Sequence, residues 1–458
     1  MADNQGIQKA GDVIIEQLKL ISSTNVVYDL ADFLIELNLY EDIFSNYLTG
    51  SIVLSDSRNL FDMVPILGEE YLVLKFVTPS FPASVQKTFR IYKATDRQIV
   101  RDKNTQTYAL HFASIELFYD VLLPLYTPFE GNITDVVGGI FNSYIAENRN
   151  FQISEASDEI KEIEGVTPLY IKTDVSNPVK FISPGWTPFK CINWLASKAI
   201  PMSGVAKNFL FFESNKGFYF TSVETLFREA SEGNTSIGKY SISAAGIRQS
   251  ANQPDLDREY FLAKDVEMVA TTDHIKNYTN GYLANRLITL DLYNKEYAVT
   301  NYDYVNSYGN QYHSSGSGAA STPIFTNGSL RNPATSISFY PINPRLFQTS
   351  LTEYFKDNVS EKMKDIYGNR KSSLLDLTNL RMNISVPGRT DVEVGRTLYF
   401  SYPAINPKSS SDVNETQEDS NYSGYYLITA IRHKVSKLNH TMVMEIVKDS
   451  LTTEKTVK

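Results

Sequence analysis

From Ile14 to Ser114 apolar and polar residues alternate in short runs bounded by turn-forming residues, a period-two pattern that predicts strands. The predicted strands are Ile14–Ile21, Phe33–Leu39, Ser51–Ser55, Tyr71–Val77, Phe89–Thr95 and Thr107–Ser114, with a polar turn at Asp56–Asn59. The period then changes. Thr134 is a candidate N-cap for a helix with Val137, Ile140, Phe141, Tyr144 and Ile145 on one face, and Thr187-Pro188 caps a second that buries Phe189, Ile192, Leu195, Ala196 and Ala199. A strand pair, Asn208–Glu213 and Gly217–Thr221, follows.

The stretch from Glu232 to Arg258 is polar and reads as a linker or surface excursion. Strands return at Val266–Thr271, Ala284–Leu292 and Glu296–Tyr304, and residues 306–322 are rich in Gly and Ser, which predicts a mobile loop, either a plain insertion or a contact arm. Ser350 to Glu353 fits a capping box for a helix running towards Gly368. Helical character resumes at Ser372–Leu380. The last part is strand again: Met382–Val386, Arg396–Tyr402, Gly424–Arg432 and Thr441–Lys448, with a polar insert at 406–423.

The fold class expected is α+β and β-dominated. Four regions follow: a β-barrel domain over 1–128, an α/β domain over 129–240, a second β domain from 241–275 with 376–458, and an inserted segment over 276–375. The hairpins Ile91–His111 and Leu427–Val447 form a faint repeat when Ala94 is set on Ala430.

Composition adds exclusions. With 458 residues, more than one core is needed, and 29 Tyr and 25 Phe suit half-buried pleated surfaces. The formal charge is −9 with no basic stripe, which argues against tight nucleic-acid binding and suits a wall that DNA slides past. The single cysteine, Cys191, excludes an internal disulfide and lies in an apolar helical pattern. No run is long enough to span a membrane, and the start of the chain has no signal-peptide pattern, so a protein made in a reducing cytoplasm is expected.

Candidate chemistry is sparse. His111, His274, His313, His433 and His440 show no metal-ligand spacing, and His313 is expected to be solvated in its loop. Acidic pairs at Glu41-Asp42 and Glu69-Glu70, and the cluster at 158–164, could serve glycoside hydrolysis, but neighbours on a strand point to opposite faces. No enzyme, cofactor or metal is expected.

An ordered set of segments resembles the central baseplate hub proteins of contractile-tailed bacteriophages. It comprises LNLYEDIF (Leu37–Phe44), Thr49-Gly50, DSRNL (Asp56–Leu60) and PILGEE (Pro65–Glu70), then GYLAN from Gly281, Asp291-Leu292, NYDY from Asn301, ISVPG (Ile384–Gly388), Val394-Gly395 and SGYYLITAIRH (Ser423–His433). The resemblance implies two tandem tail-tube-like β-barrels and a homotrimer with pseudo-sixfold symmetry. It also implies contacts with a trimeric central spike, the hexameric tail tube and baseplate wedge proteins, DNA passing through the lumen, and a place in the virion. Related injection proteins fuse a spike to the hub; nothing after Ser450 fits one, so the spike is expected on another chain.

Gly50, Gly68, Gly388 and Gly395 are expected at strand starts and tight turns. Glu41, Glu69, Arg432 and His433 are candidates for polar interfaces, with intrachain hydrogen bonding as the alternative. A glycan-binding β-rich adhesin remains the other class of function.

Overall fold

In the computed structural model of the chain, the alternating runs of the first 114 residues become seven strands: β1 (Ile14–Ile21), β2 (Val27–Asp29), β3 (Leu34–Asp42), β4 (Thr49–Asp56), β5 (Tyr71–Val77), β6 (Ser84–Val100) and β7 (Thr105–Ser114). The structure describes residues 9–449 except 64–65, 67, 82, 101–104, 149–166, 176, 203–207, 232–235, 243–255, 271–272, 274, 276–278, 293–294, 305–312, 314–335, 342–366, 369, 376, 378–379, 404–417 and 420. The helix expected from Ser350, the acidic cluster at 158–164 and His274 lie outside the described residues, as does the 306–322 loop apart from His313.

In β4 the alternation is strict, with Gly50, Ile52, Leu54 and Asp56 buried and the residues between them half-buried. Its inward residues join Leu37, Leu39, Leu72, Leu74, Phe89 and Phe112 in one core. The polar turn works as its sequence suggests: the Asp56 carboxylate accepts from the N–H groups of Arg58 and Leu60 at 2.8 and 2.7 Å, and caps the short helix α1 (Leu60–Met63).

The middle of the chain holds β8 (Pro128–Asn132), β9 (Leu169–Ile171), β10 (Pro178–Ile182), β11 (Phe209–Ser214) and β12 (Gly217–Ser222). Its helices are α2 (Ile115–Leu122), α3 (Ile133–Phe141), α4 (Pro188–Lys198) and α5 (Val223–Ser231). Thr187 caps α4 from its side chain, whereas α3 starts at Ile133 with Asn132 in the cap position, two residues earlier in the chain than Thr134 suggested. Cys191 is buried in the core of this region with Ile140, Phe141, Ile192 and Leu195. Hairpin β11·β12 is buried on both faces. Phe211 and Phe218 enter that core, and Phe212 and Tyr219 enter the core of the C-terminal sheet.

The C-terminal part supplies β13 (Ser236–Ile242), β14 (Leu262–Ala263), β15 (Asp265–Ala270), β16 (Ala284–Asp291), β17 (Glu296–Asp303), β18 (Ser336–Pro341), β19 (Leu380–Pro387), β20 (Thr397–Ser401), β21 (Gly424–Val435) and β22 (His440–Lys448). Strands β16, β17 and β18 form a separate sheet. The polar stretch read as a linker contains β13, which runs parallel to β20. Its polarity misled because only Tyr240 is fully buried and its other positions are half-buried or exposed.

Two sheets carry the same strand order. The N-terminal sheet runs β3-β4-β7-β6-β5-β1, and the C-terminal sheet runs β15-β19-β22-β21-β20-β13. All neighbours are antiparallel in both, save that β13 is parallel to β20 where β1 is antiparallel to β5. The central hairpins β6·β7 and β21·β22 each carry a β-bulge, at Tyr92 and at Thr429, and β6·β7 is irregular a second time between Thr95 and Gln98. Setting bulge on bulge places Ala94 on Ile431, one residue from the alignment that alternation suggested.

Neither sheet closes on itself among the described strands. The expected pair of barrels is instead a pair of open sheets made continuous by β3·β21, where six register pairs run from Leu37↔Val435 to Asp42↔Ala430. Strand β21 can do this because its 12 residues outrun β20: Gly424–Leu427 pairs with β20, and Ala430–Val435 pairs with β3.

Gly50 and Gly388 sit where rings fill the space of a side chain. A Cβ on Gly50 would strike the Phe112 ring and the Asn38 carbonyl, and one on Gly388 would strike the His440 ring. Gly50→Ala and Gly388→Ala should therefore each cost about 1–3 kcal/mol in denaturant unfolding, the range for overpacking. Phe112→Leu should recover part of the loss only in the Gly50→Ala background.

Candidate functional site at the junction of the two sheets

The junction is built from main-chain pairing and then filled with polar side chains. On one face, Glu41 and His433 stand diagonally across β3·β21. The Glu41 carboxylate accepts from His433 Nε2 at 3.2 Å, and His433 Nδ1 lies 3.1 Å from His440 Nε2. With Glu41 ionised, His433 must present its Nε2–H to the carboxylate, so its Nδ1 accepts from His440 Nε2–H. His440 Nδ1 has no hydrogen-bond partner, as suits a neutral ring, and burial with the adjacent His433 holds its pKa well below the ordinary value of 6.5. Phe76 packs edge-on against both rings, and Glu41, His433 and His440 are almost fully buried.

On the other face the pairing is ionic and wetter. Arg432 Nε donates to Asn38 at 2.8 Å, its NH2 lies 3.4 Å from Glu36, and its guanidinium lies over Tyr40. Lys434 reaches Glu36 at 2.9 Å. Burial works to raise the Glu36 pKa, but hydrogen bonds from Lys434 and Asn38 with the charges of Lys434 and Arg432 hold it below the usual carboxylate value.

The turn of hairpin β11·β12, Ser214-Asn215-Lys216, is inserted beside this seam. Asn215 N–H donates to the second oxygen of Glu41 at 3.3 Å. Glu213, fully buried, ties the turn to the N-terminal sheet: it pairs with Lys87 of β6 and accepts from Ser114 Oγ at 2.6 Å and from Leu48 N–H at 2.8 Å. Burial pushes the Glu213 carboxyl up, against the pull of the Lys87 ammonium. Glu393 ties the same turn to the C-terminal sheet, accepting from Ser214 Oγ at 2.9 Å, Tyr219 OH at 3.1 Å and Lys216 Nζ at 3.1 Å. Apolar residues also cross: Val435 belongs to the N-terminal core and Ile43 to the C-terminal one.

Three of the four interface candidates, Glu41, Arg432 and His433, thus meet at one seam within the chain. Glu69 stands apart, exposed, while its neighbour Glu70 is buried and accepts from Gly68 N–H at 3.0 Å. Gly68 and Gly395 both adopt left-handed backbone, with φ of 90° and 79°, just ahead of the equivalent strands β5 and β20. His313 is buried, not solvated, because it pairs with Asp449 at 2.9 Å. Sequence reasoning missed Lys87, Glu213 and Glu393. A lone carboxylate ending the apolar run Phe209–Phe212 was the available signal for Glu213. Among the described residues, no group of three His, Cys, Asp or Glu side chains could hold a metal ion, and no helix is long and apolar enough to cross a membrane.

No protein-family model and no curated protein matches the sequence. Solved structures do match in fold. The tail protein from Neisseria meningitidis MC58 superposes with a TM-score of 0.51 at 9% identity, over 94% of this chain and 96% of its own. The 43 kDa tail protein of prophage MuSo2 from Shewanella oneidensis follows with a TM-score of 0.48 at 11% identity, over 95% and 100%. The likeness to the Neisseria protein spans nearly the whole of both chains, so this chain has the fold of a tail protein, in keeping with its resemblance to baseplate hubs.

The buried histidines give the junction a pH dependence. His440 stays neutral in the folded state below the pH at which it gains a proton in the unfolded one. Its contribution is fully present above about pH 6.5 and is lost as pH falls below that value, by up to about 1.4 kcal/mol per pH unit. Urea unfolding at pH 7.5 and 5.5 should show this loss in the native chain and a smaller one in His440→Gln. Separately, Lys87→Met should cost about 3–5 kcal/mol by leaving Glu213 buried without its partner, and Lys87→Met with Glu213→Leu should recover most of it.

Proposed function

We propose that the chain is the structural hub of a contractile-tail baseplate, a homotrimer that joins the hexameric tail tube to a trimeric central spike. The observation that carries this reading is the strand order repeated in two sheets of one chain. Three copies of such a chain present six near-equivalent sheets, so a ring of three can meet a sixfold object on one side and a threefold object on the other without distorting any subunit. The sheets of the three copies would complete the tube-like walls that one copy leaves open. Wedge proteins would bind the outer surface, and DNA would pass the lumen without specific binding, past a chain of net charge −9. The reading needs no catalytic group and no cofactor, because an adaptor works by matching symmetry. It places the protein in the virion after synthesis in the host cytoplasm.

Light scattering across a range of concentrations tests the reading. The expected mass is three times the 51.7 kDa of one chain, and particle images of that species should show an axial hole. A folded chain that stays monomeric with its spike partner present would overturn it.

A further inference from the structure

The sheet of β16, β17 and β18 has two apolar faces, of which the described residues cover one. On the inner face Leu287 enters the core of the middle region, and Tyr340 packs against Tyr367 and accepts from Lys198 Nζ at 2.7 Å. On the outer face the register sets the side chains in three rows. Leu290 lies between Tyr297 and Pro341, Ile288 between Val299 and Phe339, and Arg286 between Asn301 and Ile337.

A sheet face turned to water normally carries polar residues. This one is apolar except at Arg286 and Asn301, and it is open: Phe339 is 74% exposed, Tyr297 72%, Ile337 52% and Val299 47%. Monomers rarely leave more than a few hundred Å² of contiguous apolar surface bare, and two open aromatic rings with the aliphatic chains between them reach that size.

The dimensions select the partner. Three strands about 4.8 Å apart make a face about 10 Å wide, the diameter of one helix, and the four steps from Ile337 to Pro341 make it about 13 Å long, which about nine residues of helix span. Strand β18 also runs parallel to β16, and parallel strands are characteristically covered on both faces, by helices.

The charge selects its chemistry. Arg286 Nε donates to Asn301 at 2.9 Å, and no ion pair engages its guanidinium among the described residues. A second copy brought face to face about a two-fold axis would set Arg286 against its own counterpart or against the apolar row of Leu290, and so supplies no acid.

We propose that this face is the docking site for an amphipathic helix of another protein, with an apolar stripe at i, i+3, i+4 and i+7 and a carboxylate at the end of the stripe that reaches Arg286. Phe339 and Tyr297 are the anchors, since open aromatic rings bury the most area. The Arg286 pair fixes which way the helix runs. The site does not rest on the trimeric reading and stands beside it.

A fluorescein-labelled helical peptide tests the site. The probe is an alanine-rich chain of about 16 residues, long enough to hold a helix, with leucines at that spacing and one glutamate a turn beyond them, titrated with the full chain and read by anisotropy. The native chain should bind it one to one. Phe339→Glu, which puts a charge in the middle of the apolar face, should weaken binding by about tenfold or more. Arg286→Glu should weaken it by about threefold, and a peptide with lysine in place of its glutamate should restore the affinity. Both variants should keep the mass and the urea midpoint of the native chain. A peptide that binds native and Phe339→Glu chains alike, or neither, overturns the site. A mass that falls in Phe339→Glu gives the face to a second copy, a urea midpoint that falls gives it to a cover within the chain, and either overturns the proposal. The hub reading is decided separately, by native mass: a trimer that does not bind the peptide keeps that reading and loses this one, and a monomer that binds it does the reverse.

Discussion

The β3·β21 pairing is the constraint on which the rest of the structure depends. It brings together residues nearly four hundred positions apart, and the hydrogen-bonded edges it joins would otherwise be two more exposed ones. Because the side-chain period of a strand is two, a slip of one residue there would turn Glu41 and His433 out of the seam and carry Leu37 and Leu39 away from the core. Register at this one pairing therefore fixes which residues are buried in both sheets.

The middle region is held by the same seam. Its turn at Ser214-Asn215-Lys216 meets a carboxylate from each side, Glu41 from the N-terminal sheet and Glu393 from the C-terminal one, while its own Glu213 reaches Lys87. Buried ion pairs contribute little net stability, since desolvation offsets most of the attraction. Their consequence is geometric. A carboxylate with no water must find its donors, and the donors here belong to two sheets and a hairpin, so the three can dock in only one way.

How far the sequence revealed this differs by element, for physical reasons. Ile14–Ile21 and Tyr71–Val77 are short alternating runs bounded by turn residues, and the strands have those limits. Thr187-Pro188 likewise marks the start of α4. Strand β13 was hidden because a parallel strand with one buried tyrosine does not alternate visibly. The repeat was visible but misaligned, since a bulge inserts a residue that alternation cannot count. The closed barrels expected from family resemblance were out of reach of any local pattern, because closure depends on which edges meet. At the junction, Glu41, Arg432 and His433 stood out from the sequence, whereas their partners Asn215 and His440 come from turns and strand ends whose positions only the tertiary pairing sets.

Two sheets of like strand order present similar edges, so the right edge of each must be distinguished from the wrong ones. The polar chain from Glu41 through His433 to His440 does this. Any strand but β21 brought against β3 would leave Glu41 buried without its histidine donor, a penalty of several kcal/mol for a buried charge short of a partner. Any strand but β3 brought against β21 would leave His433 without its acceptor. Main-chain hydrogen bonds could be supplied by any edge, and the junction is made exclusive by what a wrong partner would strand in the core.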